Sequence, residues 1–323
     1  MHRTVTPWIR RHAHRLTTLD PEAPLTDLLP LADLVRDATV VAIGASARET
    51  HELSVLSHRL LRALVEEGGF RALALEGDDA SRVGLDTYVK TGAGDPRRLL
   101  AGARSFWRTE EILGAVHWMR SFNRLHPDDP VRFVGATGSA PGDAPPLDGP
   151  AGVERSLAQG VIRWHDHTGD RIVYWGGLAH TADGDSLTLS PSSPPMTLRS
   201  AGSHLRERFG AGYVSIGLTF HHGRAPHPVP APPAEFAEAV LGSAGPDPYL
   251  LDLRAGGPPP VRAWLDAPAR TRLLFPTPDP GGDTVHHLSG GSLADWFDVV
   301  LHTPEVTPVL PLRPKGVGGA PTP

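Results

Sequence analysis

The amino-acid sequence predicts an α/β protein in which helices cover a mainly parallel sheet. Short apolar segments alternate along the chain with longer segments whose apolar residues recur at helical spacing. This strand–helix–strand order is the unit of a parallel sheet, because parallel neighbours need a long crossover between them. The apolar segments also lack a strict polar–apolar alternation, which indicates strands that are buried on both faces.

The first strand–helix–strand unit is the clearest part of this pattern. Residues 40–44 (V-V-A-I-G) predict a buried strand, and residues 72–76 (A-L-A-L-E) predict a second one. Residues 50–67 between them predict a helix, and Ser46 and Glu49 before it have the spacing of a capping box. The apolar face of this helix comprises Leu53, Leu56, Leu60, Leu61 and Leu64.

The rest of the chain continues the alternation and reads as a single domain over residues 1–312, followed by a disordered tail over 313–323. Further helices are predicted over residues 8–19, 27–36, 79–89, 109–125, 153–167 and 200–209. Further strands are predicted over residues 131–135, 171–175, 213–220, 249–253 and 297–301. Proline-rich connectors cover residues 139–150 and 224–233, and a loop is predicted over residues 183–195.

Composition excludes several classes of function. The chain has no cysteine, which excludes a disulfide scaffold, a thiolate zinc site and a cysteine nucleophile. Its net charge of −5 gives no basic field for nucleic acid. There is no apolar run long enough for a membrane span and no apolar signal segment at the start, so we expect a cytoplasmic protein. No histidine spacing is typical of a metal site, and we expect neither a metal nor another cofactor.

The carboxyl ends of parallel strands meet at one edge of the sheet, where α/β proteins bind their ligands. Polar and charged side chains follow several of the predicted strands or precede the helix at 109–125. Carboxylates, histidines and arginines at such an edge suit acid–base chemistry on a polar small molecule. The candidate residues are Arg48, His51, Glu52, Glu76, Asp78, Trp107, Arg108, Glu110 and His180.

Structural readings of these residues remain open. Arg108 beside Trp107 is by itself more typical of a stacked surface arginine, and Glu76 at a strand end is as compatible with a structural ion pair as with catalysis. His58 lies on the same helix face as His51 and is more typical of a packing histidine.

At these residues the chain resembles the erythromycin esterase family, which are hydrolases that open macrolide lactones without a metal. The resemblance covers most of the chain, and its most specific part is W-R-T-E-E at residues 107–111 with residues 118–123. It implies a three-layer α/β/α fold with an inserted helical subdomain. The other matching segments are 41–44 with Glu52, 58–61, 69–76, 173–175 with His180, 202–210, 215–220, 252–254 and 297–302.

The catalytic positions that the resemblance implies are only partly kept. Where the family has G-E-x-[ST]-H with a water-activating Glu and His, this chain has Ala45 and Arg48. Ser57 stands at the position of a family arginine, and Gly177 stands at the first histidine of the family's H-N-x-H. Loss of the water-activating pair is expected to slow hydrolysis by orders of magnitude. The family residues that persist are Glu76, Trp107, Arg108, Glu110 and His180.

A second departure concerns the helical insertion. Only about 35 residues separate Val134 from Arg171, where the family has a much longer insertion, so residues 139–170 form a reduced one. The cleft is therefore expected to be more open, or covered by a second copy of the chain, another protein or a large substrate.

These observations favour a repurposed tailoring enzyme of secondary metabolism that carries out cyclisation, elimination or isomerisation of a carbonyl compound. Arg48 is then expected to bind a carboxylate or to stabilise an enolate. His180 is the expected base and Glu76 the expected acid, and His51 is a further candidate for this chemistry. The substrate-binding candidates are Trp107, Arg108, Glu110, Glu52 and Asp78.

Two alternatives stay open. The first is a metal-independent ester or lactone hydrolase in which His180 or His51 replaces the lost base. The second is a pseudoenzyme that binds a ligand without converting it.

Overall fold

The computed structural model describes residues 2–77, 79–135, 149–190, 196–274 and 286–313. Its strands are β1 His14–Arg15, β2 Val40–Ala45, β3 Ala72–Leu75, β4 Arg132–Phe133, β5 Ile172–Gly177, β6 Leu187–Ser190, β7 Met196–Leu198, β8 Tyr213–Arg224, β9 Pro228–Val229, β10 Tyr249–Asp252, β11 Thr271–Arg272, β12 His287–Ser289 and β13 Val299–Val306.

Helices separate most of these strands. They are α1 His2–His12, α2 Leu29–Leu34, α3 His51–Glu66, α4 Asp79–Arg82, α5 Leu85–Thr91, α6 Pro96–Ala101, α7 Glu110–Leu125, α8 Gly149–Thr168, α9 Leu178–Thr181, α10 Ala201–Phe209, α11 Ala237–Gly242, α12 Pro259–Leu265 and α13 Leu293–Trp296. Short 3₁₀ helices occupy Thr26–Leu28, Ser105–Trp107 and Gly210–Gly212.

The central sheet has the strand order β1-β10-β13-β8-β2-β5-β3-β4, with β9 paired to β8. Neighbours from β13 to β4 run parallel, whereas β1, β10 and β9 pair antiparallel. The prediction of a mainly parallel sheet is confirmed. The register aligns the carboxyl ends of three neighbouring strands, because Ala45 at the end of β2 lies opposite Gly177 of β5 and Leu218 of β8.

Side chains of one strand enter two different cores, which makes the fold three-layered. Val41 and Ile43 of β2 belong to the core under α3 and α7, while Val40 and Ala42 belong to the core under α8 and α10. Successive residues of a strand point to opposite faces. An apolar run without alternation is therefore what a sheet covered on both faces requires.

A second, antiparallel sheet has the order β11-β12-β6-β7. The sequence predicted only a loop over residues 183–195, and that prediction is wrong for β6 at Leu187–Ser190. Leu187 and Leu189 are buried against Leu288 of β12, whereas the intervening Thr188 is partly exposed. The helices α11, α12 and α13 were not predicted either.

Several predicted boundaries change. The first helix begins at His2 and ends at His12 instead of covering 8–19, and the helix at 79–89 is divided by Gly84, whose φ is +83°. The helix predicted at 153–167 begins earlier and runs over Gly149–Thr168. Residues 139–148 of the reduced insertion and 314–323 of the tail lie outside the described residues. The single-domain assignment stays a prediction.

The loop between β2 and α3 differs from its prediction in a way that shapes the site. Thr50 is the residue before the helix and makes no side-chain cap, so the expected capping box of Ser46 and Glu49 does not form. Instead the Ser46 N–H donates to the Leu218 carbonyl at 3.0 Å, and the Ser46 carbonyl accepts from the Leu274 N–H at 2.8 Å. The Glu49 side chain is therefore not used to cap α3.

No helix within the described parts of the chain has the length and apolar character needed to cross a bilayer.

Candidate active site

A cavity of about 360 Å³ opens at the carboxyl ends of β2 and β5. The second sheet supplies one of its walls through Leu189 and Leu198, and Leu273 and Leu274 extend that wall. Most of the lining is apolar, which suits the hydrocarbon part of a small molecule. The charged lining residues are Arg48, Glu49, Glu154 and His180.

Three of these charged residues belong to a continuous chain of ion pairs centred on Glu76. Arg48 donates from Nη2 to Oε2 of Glu76, and the Gly177 N–H donates to the same oxygen at 2.8 Å. His180 Nε2 lies 3.5 Å from the other oxygen, Oε1. His180 Nδ1 lies 2.6 Å from Oε1 of Glu154. We name Arg48, Glu76, His180 and Glu154 the ion-pair chain.

The charges of the ion-pair chain set its protonation. Burial by itself raises the pKa of Glu76, but His180, Arg48 and the Gly177 N–H outweigh it and hold the pKa below its usual 4.5. Burial by itself lowers the pKa of His180, but Glu76 and Glu154 outweigh it and raise the pKa above its usual 6.5. These shifts favour an ionised Glu76 and a protonated His180. The sequence had instead indicated Glu76 as the acid and His180 as the base, and those catalytic roles stay a prediction.

Arg48 is held by packing as well as by charge. Its guanidinium lies 4.5 Å from the ring centroid of Phe106 and rests against the backbone of Gly177. A side chain at position 177 would collide with the guanidinium. Arg48 thus occupies the space next to a residue that the resemblance places at a family histidine. The absence of a side chain at Gly177 leaves room for the guanidinium in this position.

Arg104 adds a further cation beside the chain. Its Nη2 donates to the backbone carbonyl of Glu76, and its Nη1 lies 3.7 Å from Glu76 Oε1. The Arg104 guanidinium lies 4.8 Å from the Phe106 ring centroid, so this one ring packs against two arginines. No pattern in the sequence pointed to Arg104.

Glu154 is the functional candidate that the sequence analysis missed entirely. It lies on α8 and is 2% exposed, and its Oε2 accepts the Ala201 N–H at the start of α10 at 2.8 Å. It shares the buried face of α8 with Ala158 and Val161. The sequence does carry one signal for Glu154, which is a carboxylate on the apolar face of an amphipathic helix. Because burying an unpaired charge is costly, such a carboxylate is expected to have a buried partner.

Other predicted site residues lie elsewhere. His51 binds Glu111 at 2.7 Å, Glu52 holds Thr307 through contacts of 2.6 and 2.7 Å, and Glu110 is paired with Arg97. In the described part of the chain, none of these three lines the cavity or contacts the ion-pair chain.

The two remaining substrate-binding candidates of the W-R-T-E-E segment also lie outside the cavity lining. Arg108 is exposed, and Trp107 is buried against Trp175 with ring centroids 6.1 Å apart. Asp78 is outside the described residues. The structure therefore brings together Arg48, Glu76 and His180 from the predicted set, and adds Glu154 and Glu49.

Comparisons with known proteins decide the family. The family model for erythromycin esterase matches residues 65–145 and 145–306. The chain belongs to the erythromycin esterase family. An erythromycin esterase type II from Escherichia coli is 27% identical over 115 residues, which cover 36% of this chain. The aligned part spans 27% of that relative, so the comparison does not extend over its whole length.

Solved structures confirm the erythromycin esterase-like fold. A Bacillus cereus protein superposes with a TM-score of 0.82 at 19% identity, covering 96% of this chain and 98% of its own. A succinoglycan biosynthesis protein gives 0.77 at 19% identity, with 97% and 99% covered. A mutant erythromycin esterase in an open conformation gives 0.66 at 14% identity, with 94% and 99% covered. At these identities the likeness shows the fold.

The pKa shifts predict how this erythromycin esterase family member responds to pH. The lowered pKa of Glu76 gives stability that is present above pH 4.5 and is lost as the pH falls through the folded value. The raised pKa of His180 gives stability that is present below pH 6.5 and is lost as the pH rises through the folded value. The difference in melting temperature between the wild type and His180→Gln should therefore be largest between pH 4.5 and pH 6.5.

Thermal unfolding from pH 3 to pH 10 checks this expectation. His167→Gln is the matched control, because His167 is an exposed histidine of α8 that does not line the cavity. A difference between wild type and His180→Gln that stays constant across the whole range would contradict the assigned shifts.

Proposed function

We propose that this chain is an enzyme that transfers a proton at the carbon next to a carbonyl group of a small, largely apolar molecule, without adding water. Such a step can begin an elimination, an isomerisation or a carbon–carbon bond-forming cyclisation in the tailoring of secondary metabolites. The observation that carries the proposal is the pair of cations, Arg48 and His180, fixed at one end of an apolar cavity.

Fixed positive charges of this kind suit a carbonyl oxygen that becomes negative during the reaction. A guanidinium and a protonated imidazole stabilise an enolate or oxyanion more strongly in an apolar cavity than they do in water. Glu76 and Glu154 offset most of the positive charge of Arg48, His180 and the neighbouring Arg104. A neutral carbonyl compound, whose oxygen becomes negative only during the reaction, fits this arrangement.

The same contacts disfavour hydrolysis. Ala45 cannot accept a proton from water, and Arg48 remains protonated. His180 has both ring nitrogens turned to carboxylates and a raised pKa, so it is a poor replacement base. His51 is bound to Glu111 and does not line the cavity. Neither histidine that the sequence offered as a substitute base is placed to activate water.

Arg48 and His180 line the cavity instead of being enclosed beneath it, and their side chains are each 23% exposed. This exposure supports contact with a ligand. A ligand-binding pseudoenzyme would use the same contacts without converting the ligand, so only a turnover measurement separates the two functions.

The test is incubation of the purified protein with a panel of apolar ketones, enones, esters and lactones, followed by chromatography and mass spectrometry. We expect isomers or elimination products whose masses are unchanged or reduced. Turnover should fall about 10²–10⁴-fold in His180→Gln and stay unchanged in His167→Gln. Products heavier by one water would instead support the hydrolase, and binding without conversion would support the pseudoenzyme.

A further inference from the structure

The carboxyl group of Glu49 lines the cavity beside Arg48 and is half-buried. Among the residues that the structure describes, no hydrogen-bond or ion-pair partner holds its side chain. We propose that Glu49 is the group that takes up the substrate's proton. This inference rests on the proposed function and adds the catalytic base that the function requires.

The other carboxylates of the site are already occupied. Glu76 interacts with Arg48, Gly177 and His180, and Glu154 accepts from His180 and the Ala201 N–H. A base must have a lone pair free to approach the substrate. By this criterion Glu49 is the carboxylate of the cavity lining that is available.

Backbone contacts fix the loop that carries Glu49. Ser46 bonds to β8 and to Leu274, the Thr50 hydroxyl donates to the Ala47 carbonyl at 3.0 Å, and the Glu49 carbonyl accepts from the Val309 N–H at 3.3 Å. A base that is placed by a held backbone does not need to be ordered in each reaction cycle.

The burial of Glu49 favours proton uptake at this position. The cations that line the cavity are engaged with other carboxylates, since Arg48 is paired with Glu76 and His180 with Glu76 and Glu154. Burial raises the pKa of Glu49 above its usual 4.5. A carboxylate with a raised pKa is a stronger base and remains ionised at a pH above that value.

The proposed step balances without another reagent. The Glu49 carboxylate takes the proton from the carbon next to the carbonyl, and the electron pair of the broken C–H bond moves to the carbonyl oxygen. Arg48 and His180 stabilise the resulting enolate. Return of the proton from Glu49 to the same carbon gives hydrogen exchange, and its return to a different carbon gives an isomer.

Deuterium exchange provides a direct readout. The probe is 2-octanone in deuterated buffer, because it combines one carbonyl group with an apolar chain. We expect the wild type to catalyse exchange next to the carbonyl and Glu49→Gln to lower the rate about 10²–10⁴-fold. Binding of 2-octanone should be retained in Glu49→Gln. The matched control is Glu67→Gln, which changes an exposed glutamate just beyond α3.

A second measurement is read on the protein itself. Dicyclohexylcarbodiimide is an apolar reagent that adds whole to a protonated carboxyl group and leaves a stable acylurea. Peptide mapping should find the label on Glu49 up to a higher pH than on Glu67. Equal labelling of the two glutamates would overturn the assignment of Glu49 as an unusually basic carboxylate.

The outcomes separate this inference from the function on which it rests. Exchange that Glu49→Gln retains would overturn the role of Glu49 and leave the proposed function standing. Absence of exchange in a wild type that binds 2-octanone would overturn both. Exchange that is lost in Glu49→Gln and retained in Glu67→Gln, with selective labelling of Glu49, is the result we expect.

Discussion

Glu76→Gln is expected to lower the free energy of unfolding by about 3–5 kcal/mol, since removing one partner of a buried pair leaves the others uncompensated. Glu76 is 4% exposed and lies between Arg48 and His180. A glutamine keeps the size of the side chain but removes the charge that holds both cations. The same change should reduce turnover at least as much as His180→Gln does, because both donors lose their fixed positions.

Urea unfolding and turnover measured on the same preparation test this prediction. Glu66→Gln is the control, because Glu66 forms a partly exposed pair with Arg62 one helical turn away, and such pairs contribute only about 0.3–0.5 kcal/mol. A Glu76→Gln protein as stable as the Glu66→Gln protein would show that the ion-pair chain does not hold this edge of the sheet together.

Arg59→Met is expected to cost about 3–5 kcal/mol while leaving the cavity intact, by the same reasoning about buried pairs. The Arg59 side chain is fully buried and makes bonds of 2.7 and 3.1 Å to the carboxylate of Asp27. It also donates to the carbonyls of Thr18 and Pro24. These bonds join α3 to the segment before α2, so their loss should loosen residues 18–27 first.

Denaturant unfolding and hydrogen exchange of residues 18–27 measure this effect. Arg36→Met is the control, because the Arg36–Asp33 pair is exposed on both sides and should contribute little. The double variant Arg59→Met with Asp27→Leu should recover part of the loss, since it leaves no unpaired charge. A cost below about 1 kcal/mol for Arg59→Met would contradict the structural role of the pair.

The central sheet is predictable from the sequence because its inner strands are continuous apolar runs. The second sheet is not, because its strands are two to four residues long and β6 ends next to a proline-rich segment. An alternation of only two or three apolar residues is too short a pattern to distinguish a strand from a loop. Only packing against β12 and the neighbouring core fixes that wall of the cavity.

The site is predictable where topology alone places a residue. Glu76 and His180 follow parallel strands, so their meeting follows from the fold class. Glu154 lies within a helix, and its partner His180 is 26 positions away, so no local spacing rule relates them. The loop after β2 presents Glu49, not His51, to the cavity because Ser46 is tied to Leu218 and Leu274. Such tertiary bonds leave no pattern in the sequence.

The most direct test of the central claim is oxygen-18 incorporation. The protein is incubated with macrolide lactones and aryl esters in ¹⁸O-water, with an active family hydrolase as the positive control. We expect no enzyme-dependent incorporation into a carboxylate product, because Ala45 and Arg48 stand where the family resemblance places the water-activating pair, and the raised pKa of His180 disfavours its use as a base. Incorporation of one ¹⁸O that is lost in His180→Gln would contradict the proposed chemistry and establish a hydrolase.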